Sequence, residues 1–156
     1  MFRLGISVAV LVIAADQLSK WYILNEVMAP PRIIEVTSFF NLVLVGNRGV
    51  SFGLFSSDAA WVQPAFAVFA AGVSGFLGVW LHRAENRLLA VSLGGVIGGA
   101  LGNAVDRLWH GAVIDFLDFH ATGYHWPAFN IADSAITVGV VLIILEGLFV
   151  DRKESK

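Results

Sequence analysis

The sequence predicts an integral membrane protein, mainly α: a four-transmembrane-helix bundle with a small extracytoplasmic β-sheet and a second outer loop with a short helix. Three observations carry this reading. Of 156 residues, 57% are hydrophobic and only 14% charged, where a soluble domain of this size carries roughly a quarter charged residues. Mean hydropathy is +0.75, and the apolar residues run in blocks long enough to cross a hydrocarbon core of about 30 Å. Between two of these blocks lies a stretch rich in β-branched and aromatic residues that ends in turn formers. Such a composition excludes disorder, fibrous repeats and a nucleic-acid binder. The net charge of −2 is too small to recruit a polyanion, and without cysteine there is neither a disulfide framework nor a thiolate metal site.

The chain reads as one integral membrane domain over residues 1–156, with spans at approximately 4–24, 59–81, 88–105 and 134–150. The first block, Leu4 to Leu24, is apolar to Ala15 and then carries Asp16, Gln17, Ser19 and Lys20, so its outer third is polar. A cleaved signal peptide would explain Arg3 and the small pair Ala14 and Ala15. Three further spans and a single arginine before the apolar run argue against it.

The outer β region covers approximately residues 28–58. After Pro30 and Pro31, the run Arg32 to Asn47 reads as strand, and Gly46, Asn47 and Gly49 mark a turn. Phe39, Phe40, Phe52 and Phe55 are placed to help its membrane-facing side sit among headgroups.

Ala59 to Leu81 and Leu88 to Val105 contain no charge and form the second and third spans. Only His82 to Arg87 separates them, so those helices are antiparallel neighbours. Gly94, Gly98 and Gly102, with Gly95 and Gly99, repeat every four residues and let another helix approach closely. The second outer loop, residues 106–133, carries Trp109, Tyr124 and Trp126, side chains that favour the membrane interface. Ser134 to Val150 forms the fourth span, interrupted only by Glu146.

Basic residues set the orientation. Arg3, Arg83, Arg87, Arg152, Lys153 and Lys156 share one side, against Lys20, Arg32, Arg48 and Arg107 on the side with far longer loops. By the positive-inside rule both termini are cytoplasmic.

Chemistry concentrates near the outer interface. Asn103, Asp106 and Arg107 fall at i, i+3 and i+4 and make one polar face at the end of the third helix. Asp133 begins the fourth helix at the same depth, and the loop between adds Asp115 and Asp118. Each has a structural explanation taken singly: Asp133 as a helix cap, Asp106 as a partner of Arg107 or Lys20, Asp115 as a solvated loop residue. Together, carboxylates at membrane depth point to function. Two held close cannot both ionise easily, so one keeps its proton, and such a pair activates water and protonates a leaving amine, as in aspartic proteases. Spacing alone leaves the choice among Asp106, Asp115 and Asp133 open.

Asp16 and Lys20 stand at i, i+4 with the acid first, the order that supports a helical salt bridge, and read as a structural pair. Glu146 lies about 20 Å along its helix from Asp133, too far to join the cluster. Snorkelling to the cytoplasmic face or pairing with Arg83 or Arg87 explains it. The histidines, His82, His110, His120 and His125, form no HExxH, and neither GxSxG nor SxxK occurs. An alternative of another class is a small proton- or cation-coupled membrane transporter, which would place its acidic site near the midplane.

Five blocks, DQLSK (Asp16 to Lys20), NRGVSFG (Asn47 to Gly53), GGALGNAVDR (Gly98 to Arg107), VIDF (Val113 to Phe116) and FNIAD (Phe129 to Asp133), resemble in order and spacing the signature blocks of the bacterial lipoprotein signal peptidase family, also called signal peptidase II. The resemblance spans nearly the whole chain. It implies a membrane-embedded aspartyl endopeptidase of the bacterial inner membrane that removes signal peptides from diacylglyceryl-modified prolipoproteins, cleaving before the lipidated cysteine. It further implies Asp115 and Asp133 as the catalytic pair. Asp106 becomes a support residue that positions Arg107 and the loop. Asn47, Asn103, Arg107 and Asn130 match positions that hold the substrate backbone or orient the dyad, and Gly49 matches the glycine beside the first of these. Membrane lipids surround such an enzyme, a monomer is the expected form, no nucleic acid is involved, and aspartate chemistry calls for no metal or other cofactor. The stretch Asp118 to Trp126 is where a mobile, substrate-tolerant lid is expected.

Overall fold

The computed structural model describes residues 1–49 and 59–154, with side chains as far as Leu148. Phe52, Phe55, residues 50–53 of the second signature block and Lys156 lie outside the described residues, as do the side chains of Arg152 and Lys153.

Four helices are long and apolar enough to cross a membrane. The first, α1 (Phe2–Tyr22), continues into a π-helical turn at Ile23–Val27. Then come α2 (Val62–His82), α3 (Arg87–His110) and α4 (Ile131–Glu154). Each falls where the sequence places a span, and α3 runs five residues past Val105, which brings Asp106 and Arg107 inside the helix. Asn86 starts α3 by accepting from the Leu89 N–H at 2.8 Å. Gly111, at φ +69°, ends it in the left-handed conformation that glycine adopts without a Cβ penalty.

The third helix is the axis of the bundle. In its most apolar stretch 72% of residues are buried, against 11–22% in the other three helices. Its glycines make this possible. A Cβ at Gly94 would strike the Gly5 carbonyl, and one at Gly98 would sit 2.7 Å from the Ala9 carbonyl, so this row receives α1. A Cβ at Gly99 would strike the Ala132 carbonyl of α4, and Gly95 faces Ala135. Two adjoining faces of α3 thus let two backbones approach, which is how helices gain dispersion contacts in lipid. Away from the polar end, Ala9, Leu77, Leu81, Leu89, Leu93 and Ile97 form the apolar core. Val68, Phe69, Phe76, Val138 and Ile144 point outward and are exposed.

The polar end carries a four-stranded antiparallel sheet in the order β1-β2-β3-β4: β1 (Ile34–Thr37), β2 (Phe40–Asn47), β3 (Val113–Ala121) and β4 (Tyr124–His125). The first two strands lie within the run expected to be extended, with a turn at Ser38 and Phe39. The second outer loop corrects one expectation. Among its described residues there is no separate short helix; α3 takes Asp106 to His110, β3 and β4 form the middle, and α4 begins at Ile131. The physical reason is pairing: the apolar, partly β-branched start of β3 completes the sheet by hydrogen-bonding along β2. Ile23, Met28 and Phe116 make a small core at this sheet. Phe39, Trp109, Tyr124 and Trp126 are exposed around this end, as belt aromatics are.

Candidate active site

Asp115 enters the site by way of a bulge. Leu42 pairs with Leu117 and Val45 with Asp115, so Val43 and Leu44 of β2 face Phe116 alone. An extra residue of this kind bends a strand and re-aims its side chains. Just beyond, Leu117 N–H donates to the Phe129 carbonyl at 2.9 Å and Phe129 N–H returns to Leu117 at 3.1 Å. This bridge lays the segment entering α4 beside β3 and brings Asn130 to Asp115.

Asn130 joins the two aspartates. Its Nδ2 donates to Asp115 Oδ1 at 2.7 Å. Its backbone N–H donates to Asp133 Oδ2 at 3.2 Å, and its Oδ1 accepts the Asp133 N–H at 2.9 Å. The last two bonds form a reciprocal capping box at the start of α4. The cap expected as a rival explanation of Asp133 is therefore present, and it is what aims the carboxylate. The other oxygen of Asp133 accepts from Asn103 Nδ2 at 2.8 Å, and Asp115 Oδ2 accepts from Asn47 Nδ2 at 3.1 Å.

Burial pushes the Asp115 carboxyl up to about 7, and the charge of Asp133 adds to the effect. Hydrogen bonds from Asn47 and Asn130, and the charge of Lys20, pull against it. Near neutral pH this group is poised between acid and base.

A fully buried network stands behind the pair. Lys20 Nζ lies 2.7 Å from Asp16 Oδ2, 2.7 Å from Asp106 Oδ2 and 3.1 Å from Asn103 Oδ1, which accounts for its three protons. The Asp16–Lys20 pair is thus half of a larger arrangement, and of the two partners named for Asp106 it is Lys20 that binds. Asp106 Oδ2 also accepts the Ile114 N–H at 3.1 Å, fixing the start of β3, and Asp16 Oδ1 accepts the Ala132 N–H at 3.0 Å, fixing the start of α4. The start of β3, by way of Asp106, and the start of α4 are therefore both tied to α1 through charged groups. Arg107 donates to the carbonyls of Asn103 and Gly49, each at 3.3 Å, and its guanidinium lies 5.3 Å from the Phe66 ring centroid.

Two acids stand apart from this centre. Asp118, buried on β3, accepts from Asn41 Nδ2 at 3.1 Å and lies 2.9 Å from His125 Nδ1, so it pins the β3–β4 hairpin. Glu146 accepts from Asn86 Nδ2 at 2.6 Å. This corrects the expected pairing with Arg83 or Arg87: the amide that caps α3 already points across to α4. Gln17, by sequence no more than part of the polar outer third of α1, reaches Asp106 Oδ1 with its Nε2 at 2.8 Å. Its place between Asp16 and Lys20 in one block was the available signal. Asn41 and Gln63, buried polar residues on β2 and α2, had none.

Residues 8–149 match the family model described as signal peptidase (SPase) II. Curated proteins named lipoprotein signal peptidase from Burkholderia vietnamiensis (strain G4 / LMG 22486) and Burkholderia multivorans (strain ATCC 17616 / 249) are each 51% identical over 146 residues, which cover 93% of this chain and 86% of theirs. Two solved structures, each described as a bacterial membrane enzyme, superpose with TM-scores of 0.82 and 0.77 at 33% and 34% identity. The matches cover 97% and 92% of this chain and 91% and 92% of those chains.

Proposed function

The chain belongs to the signal peptidase II family, and from that premise we propose that it removes signal peptides from diacylglyceryl-modified prolipoproteins, cutting before the lipidated cysteine with Asp115 and Asp133 as its catalytic pair. That it is a peptidase, and that its family acts on lipoproteins, follows from the family; the dyad rests on the site. One observation carries it. Asn130 hydrogen-bonds to both carboxylates, and of the two acids of β3, Asp115 and Asp118, only Asp115 is joined to Asp133 in this way.

The chemistry follows from one proton shared between two acids. Asp115 holds it, and Asp133 is ionised. Asp133 takes a proton from water as the water oxygen attacks the scissile carbonyl carbon, and Asp115 gives its proton to the carbonyl oxygen, leaving a neutral gem-diol. The C–N bond then breaks: Asp133 protonates the departing amine, and a diol hydroxyl returns a proton to Asp115. The pair ends as it began. Asn47, Asn103 and Asn130 keep the carboxyls oriented throughout, while Arg107 and Gly49 border the path of the peptide. Asp106, Asp16 and Lys20 support the pair from behind.

The arginines at the opposite end support a reading in which both termini are cytoplasmic and the acids lie near the extracytoplasmic face. The whole chain works as one membrane domain and as a monomer. A transporter needs an acidic site open to both sides, whereas here Asp16, Asp106, Asp115 and Asp133 gather at the sheet end, with the core of Leu81, Leu89 and Leu93 filling the other.

The test is cleavage of a diacylglyceryl-modified prolipoprotein in detergent, with chelator present, by wild type, Asp115→Asn, Asp133→Asn and Asp106→Asn, with folding checked in parallel. Cleavage before the modified cysteine, lost in the first two variants while they stay folded, is the expected result. A folded first or second variant with near-normal turnover removes that residue from the dyad.

A further inference from the structure

Gln63 belongs to none of the signature blocks, yet it sits at the edge of the site. It lies in the first turn of α2, only 8% exposed. Its Nε2 donates to the Arg48 carbonyl at 2.6 Å. One residue later, the Gly49 carbonyl accepts from Arg107. One residue earlier, Asn47 donates to Asp115. Gly49 N–H closes back on Asn47 Oδ1 at 3.1 Å, which makes these three residues one compact turn.

Strand pairing does not extend through this turn. The β2–β3 ladder ends at Asn47 and Val113, and beyond it the carbonyls of Arg48 and Gly49 are held by side chains of two helices, Gln63 on α2 and Arg107 on α3. The amide orientation of Gln63 is settled by its partner, because the opposite flip would set oxygen against oxygen. Its own oxygen is then left buried with no hydrogen-bond partner among the described residues. Gln63 lines a cavity of about 360 Å³ together with Arg48, Arg107 and Gly111. A buried acceptor without a donor is unfavourable, and an extended peptide at membrane depth brings backbone N–H groups that themselves need acceptors.

Resting on the peptidase reading above, we propose that Gln63 is a positioning residue for the reaction: it holds the Asn47–Gly49 turn from α2 so that the Asn47 amide meets Asp115, and it presents its oxygen to a backbone N–H of the bound peptide. Neither half needs a further ligand or cofactor. When the clamp is slack, Asn47 loses its contact, and since that bond lowers the Asp115 carboxyl pKa, the group rises further.

The experiment uses full-length enzyme in detergent and the lipid-modified prolipoprotein, with kcat, KM and pH profile measured for Gln63→Met, Gln63→Glu, Asn47→Ala and the double variant Asn47→Ala/Gln63→Met. Methionine is close in shape but has neither donor nor strong acceptor; its kcat is expected to fall about tenfold, as for a modest misplacement of a reacting group, with KM raised and the alkaline limb of the profile moved to higher pH. Glutamate keeps an oxygen towards the cavity but sets another against the Arg48 carbonyl. It should lose kcat and shift the limb with KM nearer to wild type, and being isosteric it carries the test if the methionine variant does not fold. If Gln63 acts through Asn47, the double variant is no slower than Asn47→Ala alone. Folded Gln63 variants with wild-type kcat and KM and an unmoved limb overturn the proposal, as do losses that simply multiply in the double variant. A KM change alone overturns the positioning half. Folded wild type that cleaves no prolipoprotein overturns the peptidase reading itself, an outcome visible before any variant is compared.

Discussion

Asn130 and Asp133 bond to each other twice, the backbone N–H of each donating to the side-chain oxygen of the other, at 3.2 and 2.9 Å. A capping box of this kind ordinarily begins a helix and nothing more. Here the cap also has a free amide nitrogen, which goes to Asp115 at 2.7 Å, so the start of α4 and the geometry of the acidic pair are one structure. Asn130→Ala should therefore cost both: about 1 kcal/mol of stability from the lost cap and about a hundredfold in kcat from disordering of the pair. Thermal unfolding in detergent and single-turnover cleavage separate the two. Normal turnover in a destabilised variant would reduce Asn130 to a cap.

Replacing either aspartate by asparagine removes a proton carrier while keeping shape. Asp115→Asn and Asp133→Asn should each lower kcat by about a thousandfold or more, the range for a general acid or base. Asp106→Asn should chiefly lower stability, since Asp106 holds Lys20 and the Ile114 N–H. Equal loss of the chemical step in a stable Asp106 variant would move the pair.

The pH dependence has a definite sign. With its folded carboxyl near 7, Asp115 loses its proton as pH rises through that value, so activity should fall on the alkaline side there. Stability moves in the same direction. The unfolded chain releases this proton near 4 while the folded chain keeps it to about 7, so the unfolded state binds fewer protons across that window and stability declines as pH climbs through it. Asp115→Asn removes this slope and should unfold later than wild type at pH 8. Unfolding scans of both proteins from pH 5 to 8 test it; parallel curves would contradict the raised carboxyl.

Lys20→Met should destabilise by about 3–5 kcal/mol, the cost of breaking a buried ionic cluster from one side, because Asp16 and Asp106 would remain buried without their cation. Adding Asp106→Asn should recover part of the loss. A wild-type unfolding temperature for Lys20→Met would mean that the two acids find other partners.

The glycines of α3 are not equivalent to those of α2. Gly98→Leu should prevent stable assembly, since its Cβ alone would meet the Ala9 carbonyl at 2.7 Å, whereas Gly75→Leu enters open space. Expression and monodispersity in detergent distinguish them, and equal behaviour would discount the close approach.

The four helices were legible because each is an apolar run of bilayer length, a property of consecutive residues. The sheet was half legible: Phe40 to Asn47 declares itself, but β3 is strand because β2 lies beside it, and neither its alternation nor its length sets it apart from a short helix. In the site, Asn103, Asp106 and Arg107 announce a polar helix face by spacing. The link from Asp115 to Asp133 depends on Phe129 pairing with Leu117, which no local pattern reveals. For the same reason Asn86 and Glu146, 60 residues apart and bonded at 2.6 Å, could not be matched, and Gln63 carried no signal. Family resemblance supplied what spacing could not, the choice of Asp115 over Asp106.

The ionic cluster also bears on how the chain is made. Asp16 and Lys20 belong to α1, which leaves the ribosome before α3 and α4, whereas Asp106, Asn103 and the Ala132 N–H arrive only with those later helices. Either charge alone would oppose insertion. Because they are four residues apart, they neutralise each other within one turn of their own helix, and α1 enters the bilayer carrying its counterion with it. The later helices then replace a provisional partnership by a permanent one.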